Sequence, residues 1–274
     1  MYNNKVMKEK FKVVIFTDLD GSLLHRDTFK FDTIKSYISS LVDEGIIIIP
    51  NSSKTEKEIE NFNEELGVDL PYISENGSSI HGLNLINHNF PNKIILSREK
   101  EELQKIFNEK IPEQLKDKCI QISKMNKKEQ EKIFGQKDDN LKNALNRKYT
   151  LPFLFKGDKN EKHKLLKILN SHSLTLQEGG RVLNLCDNIN KVKSMNRVIK
   201  ILKKTKDKIK TIAVGDNYND LDMLKNCDIP CLVFNDKFKL DQINIDNLIF
   251  SNKPSPEGWA DVIKKALVKL GYND

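Results

Sequence analysis

The sequence predicts an α/β protein, a doubly wound parallel sheet with a second, α+β domain inserted into it. Three observations carry this. Short apolar runs alternate with helix-period segments over residues 13–74 and again from Lys191 onward, two of those runs end in aspartate-rich loops, and the alternation breaks over residues 89–185. Strands alternating with helices pack as parallel neighbours with helices on both faces.

Residues 13–16 are a β-rich apolar run breaking into Thr17-Asp18-Leu19-Asp20-Gly21, a buried strand with acids at its carboxyl end. Phe31, Ile34, Tyr37, Ile38 and Leu41 then recur at helical spacing after Asp32, with Gly45 as the stop. Residues 46–49 supply a second buried strand. Thr55 and Glu58 have the spacing of a capping box, opening a helix with Ile59, Phe62 and Leu66 on one face. Residues 72–74 read as a third strand of the same sheet, turned by Asn76-Gly77. In the interrupted region, lysine-rich helical stretches (99–109, 127–134, 160–169) mix with a strand-like piece at 151–155. Residues 174–176 and 182–185 flank Gly179-Gly180 as a hairpin. The first pattern resumes with a helix from Lys191 carrying Val192, Met195, Val198 and Leu202. A strand at 211–214, a short helix from Asn219, strands near 231–234 and 248–250, and a closing helix after Pro256 complete it. The expected division is residues 1–88 and 186–274 in the sheet domain and 89–185 in the insert.

At 274 residues and 38% hydrophobic content the chain can bury real cores, which excludes disorder and fibres. Its longest aliphatic run is four residues, far below the roughly 18 needed to span a membrane. The basic start lacks the apolar stretch of a signal peptide, so a soluble, cytoplasmic protein is expected. The net charge of +7 invites a nucleic-acid reading, but only Arg26, Arg98, Arg147, Arg181 and Arg197 are arginines. The lysines are dispersed among glutamates and asparagines, without interleaved aromatics, so no nucleic-acid partner is expected. Cys119, Cys186, Cys227 and Cys231 show no CxxC spacing and read as unpaired thiols.

Chemistry concentrates in two motifs. Asp18-Leu19-Asp20-Gly21 can present two carboxylates to one side of a strand end while Leu19 faces inward. Gly215-Asp216-Asn217-Tyr218-Asn219-Asp220 again follows an apolar strand and precedes a helix. In a parallel sheet both loops open at the carboxyl edge, where such folds bind ligands. Carboxylates converging at about 4 Å repel by on the order of 4 kcal/mol per pair at an effective dielectric of 20, so the site asks for a cation and a basic side chain. Oxygen-only ligands suit Mg²⁺.

These motifs, with Ser-Leu-Leu after Gly21, a serine after the second strand and a lysine near the end of the insert, resemble the haloacid dehalogenase superfamily of phosphatases. Asn51-Ser52-Ser53-Lys54-Thr55, Pro71-Tyr72-Ile73-Ser74-Glu75-Asn76-Gly77, Arg147-Lys148-Tyr149-x-x-Pro152-Phe153 and Gly179-Gly180-Arg181 are similar to segments of its mannosyl-3-phosphoglycerate phosphatases. Lys148 stands where that family more often has an acidic residue, and Val192 where it more often has glycine. The resemblance implies a Rossmann-like core with an inserted α+β cap that closes over a small phosphorylated glycosyl-glycerate. The implied activity is Mg²⁺-dependent hydrolysis of mannosyl-3-phosphoglycerate to mannosylglycerate, a compatible solute. Glucosyl-3-phosphoglycerate or another sugar phosphate is the alternative; a phosphomutase or a non-catalytic phosphate-binding protein ranks below these. It also implies roles: Asp18 as nucleophile, Asp20 as general acid and base, and Mg²⁺ held by Asp18, the Asp20 carbonyl and Asp216. Ser52 and Lys191 would contact the phosphoryl group, with Ser53 and Lys193 as their rivals, and Asn219 and Asp220 would stand behind the ligands. Arg181, with Gly180, would grip the substrate carboxylate, helped by Ser53, Lys54, Asn76 and Arg147.

Overall fold

The computed structural model describes residues 11–178, 181–236 and 243–272. The chain runs β1 (Phe11–Thr17), α1 (Lys35–Asp43), β2 (Ile47–Pro50), α2 (Glu56–Leu66), β3 (Tyr72–Ser74), β4 (Ser79–His81) and β5 (Lys93–Ile95). Next come α3 (Lys100–Lys110), α4 (Glu113–Lys116), β6 (Cys119–Gln121), α5 (Lys127–Phe134), α6 (Asp138–Leu145), β7 (Leu151–Phe155), α7 (Lys159–Ser171), β8 (Leu174–Glu178) and β9 (Leu183–Asp187). The first pattern then resumes with α8 (Lys191–Leu202), β10 (Lys208–Gly215), α9 (Leu221–Lys225), β11 (Ile229–Leu232), β12 (Ile249–Phe250) and α10 (Glu257–Lys269).

A five-stranded sheet in the order β12-β11-β10-β1-β2, parallel throughout, forms the core. Alternation along β1 builds both its faces. Val13 and Ile15 join Phe31, Ile38, Phe62 and Trp259 under α1, α2 and α10, while Val14 and Phe16 join Met195, Val198 and Met223 under α8 and α9. Burial on both faces is what a continuous apolar run demands of a parallel strand. The capping box at Thr55 and Glu58 forms, and Gly67 ends α2.

The third strand departs from expectation. β3 meets the parallel sheet only through one bridge, Asn51 to Ile73, and pairs antiparallel with β4, which pairs antiparallel with β5. The reason lies at Glu75 and Asn76, whose positive φ of 45° and 58° turns the chain straight back on itself. β5 therefore stays with the core side of the molecule, and the insert proper is an antiparallel sheet in the order β6-β7-β9-β8. Leu103 and Phe107 of α3 and Leu165 and Leu169 of α7 cover one face of it; Phe134, Leu141 and Ala144 of α5 and α6 form a smaller apolar cluster with Ile122 and Val182. The four cysteines are free thiols. Among the described residues no helix is long and apolar enough to cross a membrane.

His81 on β4 stacks on Tyr72 at 4.6 Å, shares a 2.8 Å hydrogen bond with Ser79 Oγ and lies 3.5 Å from Glu56. Burial pushes its pKa down to about 4, with Glu56 opposing and Lys93 and Lys148 assisting. The unfolded chain, with histidine near about 6.5, then binds more protons between those values, so this contribution to stability is complete above pH 6.5 and lost as pH falls toward 4. Replacing His81 with glutamine is expected to flatten the melting-temperature profile over that window by about 5 °C. Calorimetry showing the same slope in both proteins would contradict it.

Candidate active site

The geometry of the site begins with β1. Asp18 N–H donates to Val214 O of β10 at 2.9 Å, Trp259 Nε1 donates to Thr17 Oγ1 at 2.9 Å, and that hydroxyl donates to the Asp18 carbonyl at 2.7 Å. Asp18 is thereby held from both sides at the carboxyl end of a central strand. Leu19 is fully buried. Gly21 has φ +88°, and a Cβ there would stand 2.7 Å from the Arg26 guanidinium and 2.8 Å from Asp216, so the loop can close only on glycine.

β10 delivers the second motif beside the first, because Thr17 is in register with Val214. Gly215 is again a close approach, since a Cβ would collide with the Asp220 side chain. Asp216 is buried; it accepts from Ser22 Oγ at 3.2 Å and from Asn235 Nδ2 at 3.0 Å, and Arg26 forms a direct ion pair with it. Asp220 accepts from the backbone N–H groups of Asp216 and Asn217 at 3.2 and 3.3 Å, a brace for the loop.

Lys191 joins the two motifs. At the start of α8 its buried Nζ donates to Asp18 at 2.6 Å and to Asp220 at 2.7 Å. Lys193 points away, bonded to Asn188 at the surface, so geometry separates the two lysines that sequence left as rivals. Carboxylate oxygens of Asp18, Asp216 and Asp220 lie within 4.8 Å of one another. Burial, reinforced by the neighbouring carboxylates, pushes Asp18 up to about 6, with Lys191 opposing. The same causes push Asp216 up to about 8, with Arg26 opposing. A buried all-oxygen set of three converging carboxylates fits a hard divalent cation; Asp18 and Asp216 line the cleft and would hold it, whereas Asp220 is spent on Lys191 and the loop backbone.

Above the acids lies a cleft of about 210 Å³. Of the residues predicted from sequence, Asp20, Ser53, Lys54, Arg147, Arg181 and Asn219 line it beside Asp18 and Asp216. Lys54 is buried, pairs with Asp20 at 2.9 Å and Glu58 at 3.5 Å, and sits over the Phe29 ring; its carboxylate neighbours raise its pKa against the burial that would lower it. Arg147 donates to Ser53 O at 3.1 Å. Arg181 reaches from the cap to the carbonyls of Phe134 and Arg26. Two of the expected residues lie off the cleft wall. Ser52 is wholly buried, its Oγ accepting from Lys54 N–H at 3.3 Å, so Ser53 is the serine on the cleft wall. Asn76 lies beneath the 52–54 loop, donating its N–H to Ser52 O at 2.8 Å, because its left-handed turn directs it under the loop. Gly180 lies outside the described residues. Sequence reasoning missed Arg26, Glu58, Gln136 and Asn184 on the cleft wall. Arg26 carried a usable signal, being one of five arginines and lying in the loop after Asp20; the others carried none.

An α/β protein with an inserted antiparallel sheet, and with buried aspartates and a lysine at the edge of its parallel sheet, defines a class, and its relatives fall within it. The family model described as haloacid dehalogenase-like hydrolase matches residues 15–252. A solved haloacid dehalogenase-like hydrolase from Bacteroides thetaiotaomicron superposes with a TM-score of 0.64 at 16% identity, covering 94% of this chain and all of its own. The chain is a phosphoric monoester hydrolase of the haloacid dehalogenase superfamily, and within it belongs to the glucosyl-3-phosphoglycerate/mannosyl-3-phosphoglycerate phosphatase family. The protein of that name from Persephonella marina is 30% identical over 94% of this chain and 98% of its own length. The mannosyl-3-phosphoglycerate phosphatase of Pyrococcus horikoshii is 31% identical over 86% and 96%.

Proposed function

We propose that this protein hydrolyses mannosyl-3-phosphoglycerate to mannosylglycerate and phosphate, with Mg²⁺ as cofactor and glucosyl-3-phosphoglycerate as the alternative substrate. The observation that carries the reading is Lys191 shared between Asp18 and Asp220 at the floor of a cleft walled by Arg26, Lys54, Arg147 and Arg181. Such a cleft suits a dianionic phosphate with a carboxylate nearby, since guanidinium groups bind both in a fork.

Asp18 attacks phosphorus, forming an aspartyl-phosphate as the 3-oxygen of the glycerate leaves, and water then displaces Asp18 from phosphorus to release phosphate. Asp20 protonates the leaving oxygen and then takes the proton of the water that attacks the intermediate. Lys54, 2.9 Å from Asp20, holds that carboxyl in place. Lys191 offsets charge spread over the phosphoryl oxygens, and Ser53, with Ser52 behind it, offers a hydroxyl to one of them. Asp18, the Asp20 carbonyl and Asp216 would hold Mg²⁺, which lowers the repulsion between nucleophile and phosphate. Asp220 orients Lys191, and Asn219 lines the cleft beside Asp216. We place the core at residues 1–88 and 186–274 and the cap at 89–185, with the segment of β5 still paired to the core.

Purified protein given a panel of mannosyl- and glucosyl-3-phosphoglycerate and simple sugar phosphates is expected to release phosphate fastest from the first, and chelator is expected to lower the rate by ~10²-fold or more. Faster release from a sugar phosphate lacking the glycerate carboxylate would reject the substrate reading, and an unchanged rate in chelator would reject the metal.

A further inference from the structure

Glu75 is almost completely buried yet is absent from the catalytic machinery described above. Its Oε1 accepts from Lys148 N–H at 2.8 Å, and its Oε2 accepts from Tyr149 N–H at 3.1 Å and Thr150 Oγ1 at 2.6 Å. All three donors are neutral and all belong to the cap-side segment that follows Arg147. The Glu75 backbone faces the other way: its N–H donates to Lys54 O at 2.9 Å, and the next N–H, of Asn76, donates to Ser52 O at 2.8 Å. Arg147 closes the ring, donating to Ser53 O at 3.1 Å and Thr150 Oγ1 at 3.3 Å.

Two costs mark this residue. A carboxyl group removed from water onto neutral donors gives up solvation that hydrogen bonds only partly replace. A glutamate at φ 45° is strained where an asparagine or glycine would be easy. An apolar side chain could fill the same space, but it could not tie residues 148–150 to the 52–54 loop.

We propose that Glu75 is a positioning residue that locks the cap segment 147–150 onto the core loop 52–54, thereby holding the Arg147 guanidinium where it meets substrate. It touches no substrate itself. The proposal rests on the reading of the cleft as the active site.

Glu75→Gln discriminates. Either orientation of the new amide sets its NH₂ group against a backbone N–H, of Lys148 or of Tyr149, and neither can turn away. With the glycosyl-3-phosphoglycerate that the wild type prefers, Glu75→Gln is expected to raise KM about tenfold or more while kcat stays within about threefold, and Arg147→Ala should do likewise. The double variant should be no worse than Arg147→Ala alone, because both act through one guanidinium. Additive losses, or a fall confined to kcat, would overturn the proposal. Amide hydrogen exchange supplies a readout free of substrate: exchange at Lys148 and Tyr149 should be about tenfold faster in Glu75→Gln, with the rest of the cap unchanged. Unchanged exchange at those two amides would overturn the proposal. Absence of turnover by the wild type would instead reject the substrate reading and leave the exchange result to decide the role of Glu75.

Discussion

Asp18→Asn is expected to abolish phosphate release, by on the order of 10⁴-fold or more, while leaving the protein folded. An amide has no anionic lone pair to present to phosphorus, and the neighbours of Asp18 cannot substitute for it. Asp216 is held by Arg26, Ser22 and Asn235, and Asp220 is spent on Lys191 and two backbone N–H groups. Folding should survive because Asp18 is costly where it stands. Burial and the nearby Asp220 and Asp20 push its pKa up to about 6, so replacing it by a neutral isostere removes repulsion along with the Lys191 ion pair. Rapid acid quenching with phosphorus-labelled substrate should trap an acyl-phosphate in the wild type and none in the variant. Retention of more than about one hundredth of the wild-type rate by Asp18→Asn would exclude the covalent route.

Lys191→Met is expected to have the largest combined effect. Its ammonium is buried between Asp18 and Asp220 at 2.6 and 2.7 Å, and those carboxylates in turn raise its pKa far enough to keep it charged against burial. Removing one member of a buried ionic group leaves the others uncompensated, a loss of about 3–5 kcal/mol. Activity should fall by about 10²–10³-fold as well, the usual consequence of deleting one group that stabilises charge in the transition state. Adding Asp220→Asn removes one orphaned carboxylate and should restore much of the stability, measured by urea unfolding, while activity stays low. A single variant as stable and as active as the wild type would show that Lys191 is no more than a packing element.

Much of the architecture was legible because its signals are local. The continuous apolar run of β1 and the period-3.6 faces of α2 and α8 are each complete within a dozen residues. The strand at 151–155 and the helix at 127–134 match β7 and α5 in both bounds. Several short elements escaped. β4, β5 and β6 are three residues each and owe their pairing to neighbours rather than to their own composition. β3 was recognised but placed in the wrong sheet, because the reversal at Glu75 and Asn76 depends on two non-glycine residues held in a left-handed conformation by contacts distant in sequence.

The site divides the same way. By themselves the residues 18–20 and 215–220 announce an acid cluster needing a cation, since such motifs after apolar strands must open at one sheet edge. The sequence motif favoured Lys191 with Lys193 as its rival. Tertiary structure set Lys191 against Asp18, turned Lys193 to Asn188 and put Ser53 rather than Ser52 on the cleft wall. It also added Arg26 to the positive rim and set Glu75 between core and cap. The reason is geometric. A residue's chemistry and its strand or helix are inscribed over a few neighbours, whereas which of two adjacent side chains faces a partner 173 residues away, as Lys191 does Asp18, is decided by sheet register and helix rotation after the chain has packed.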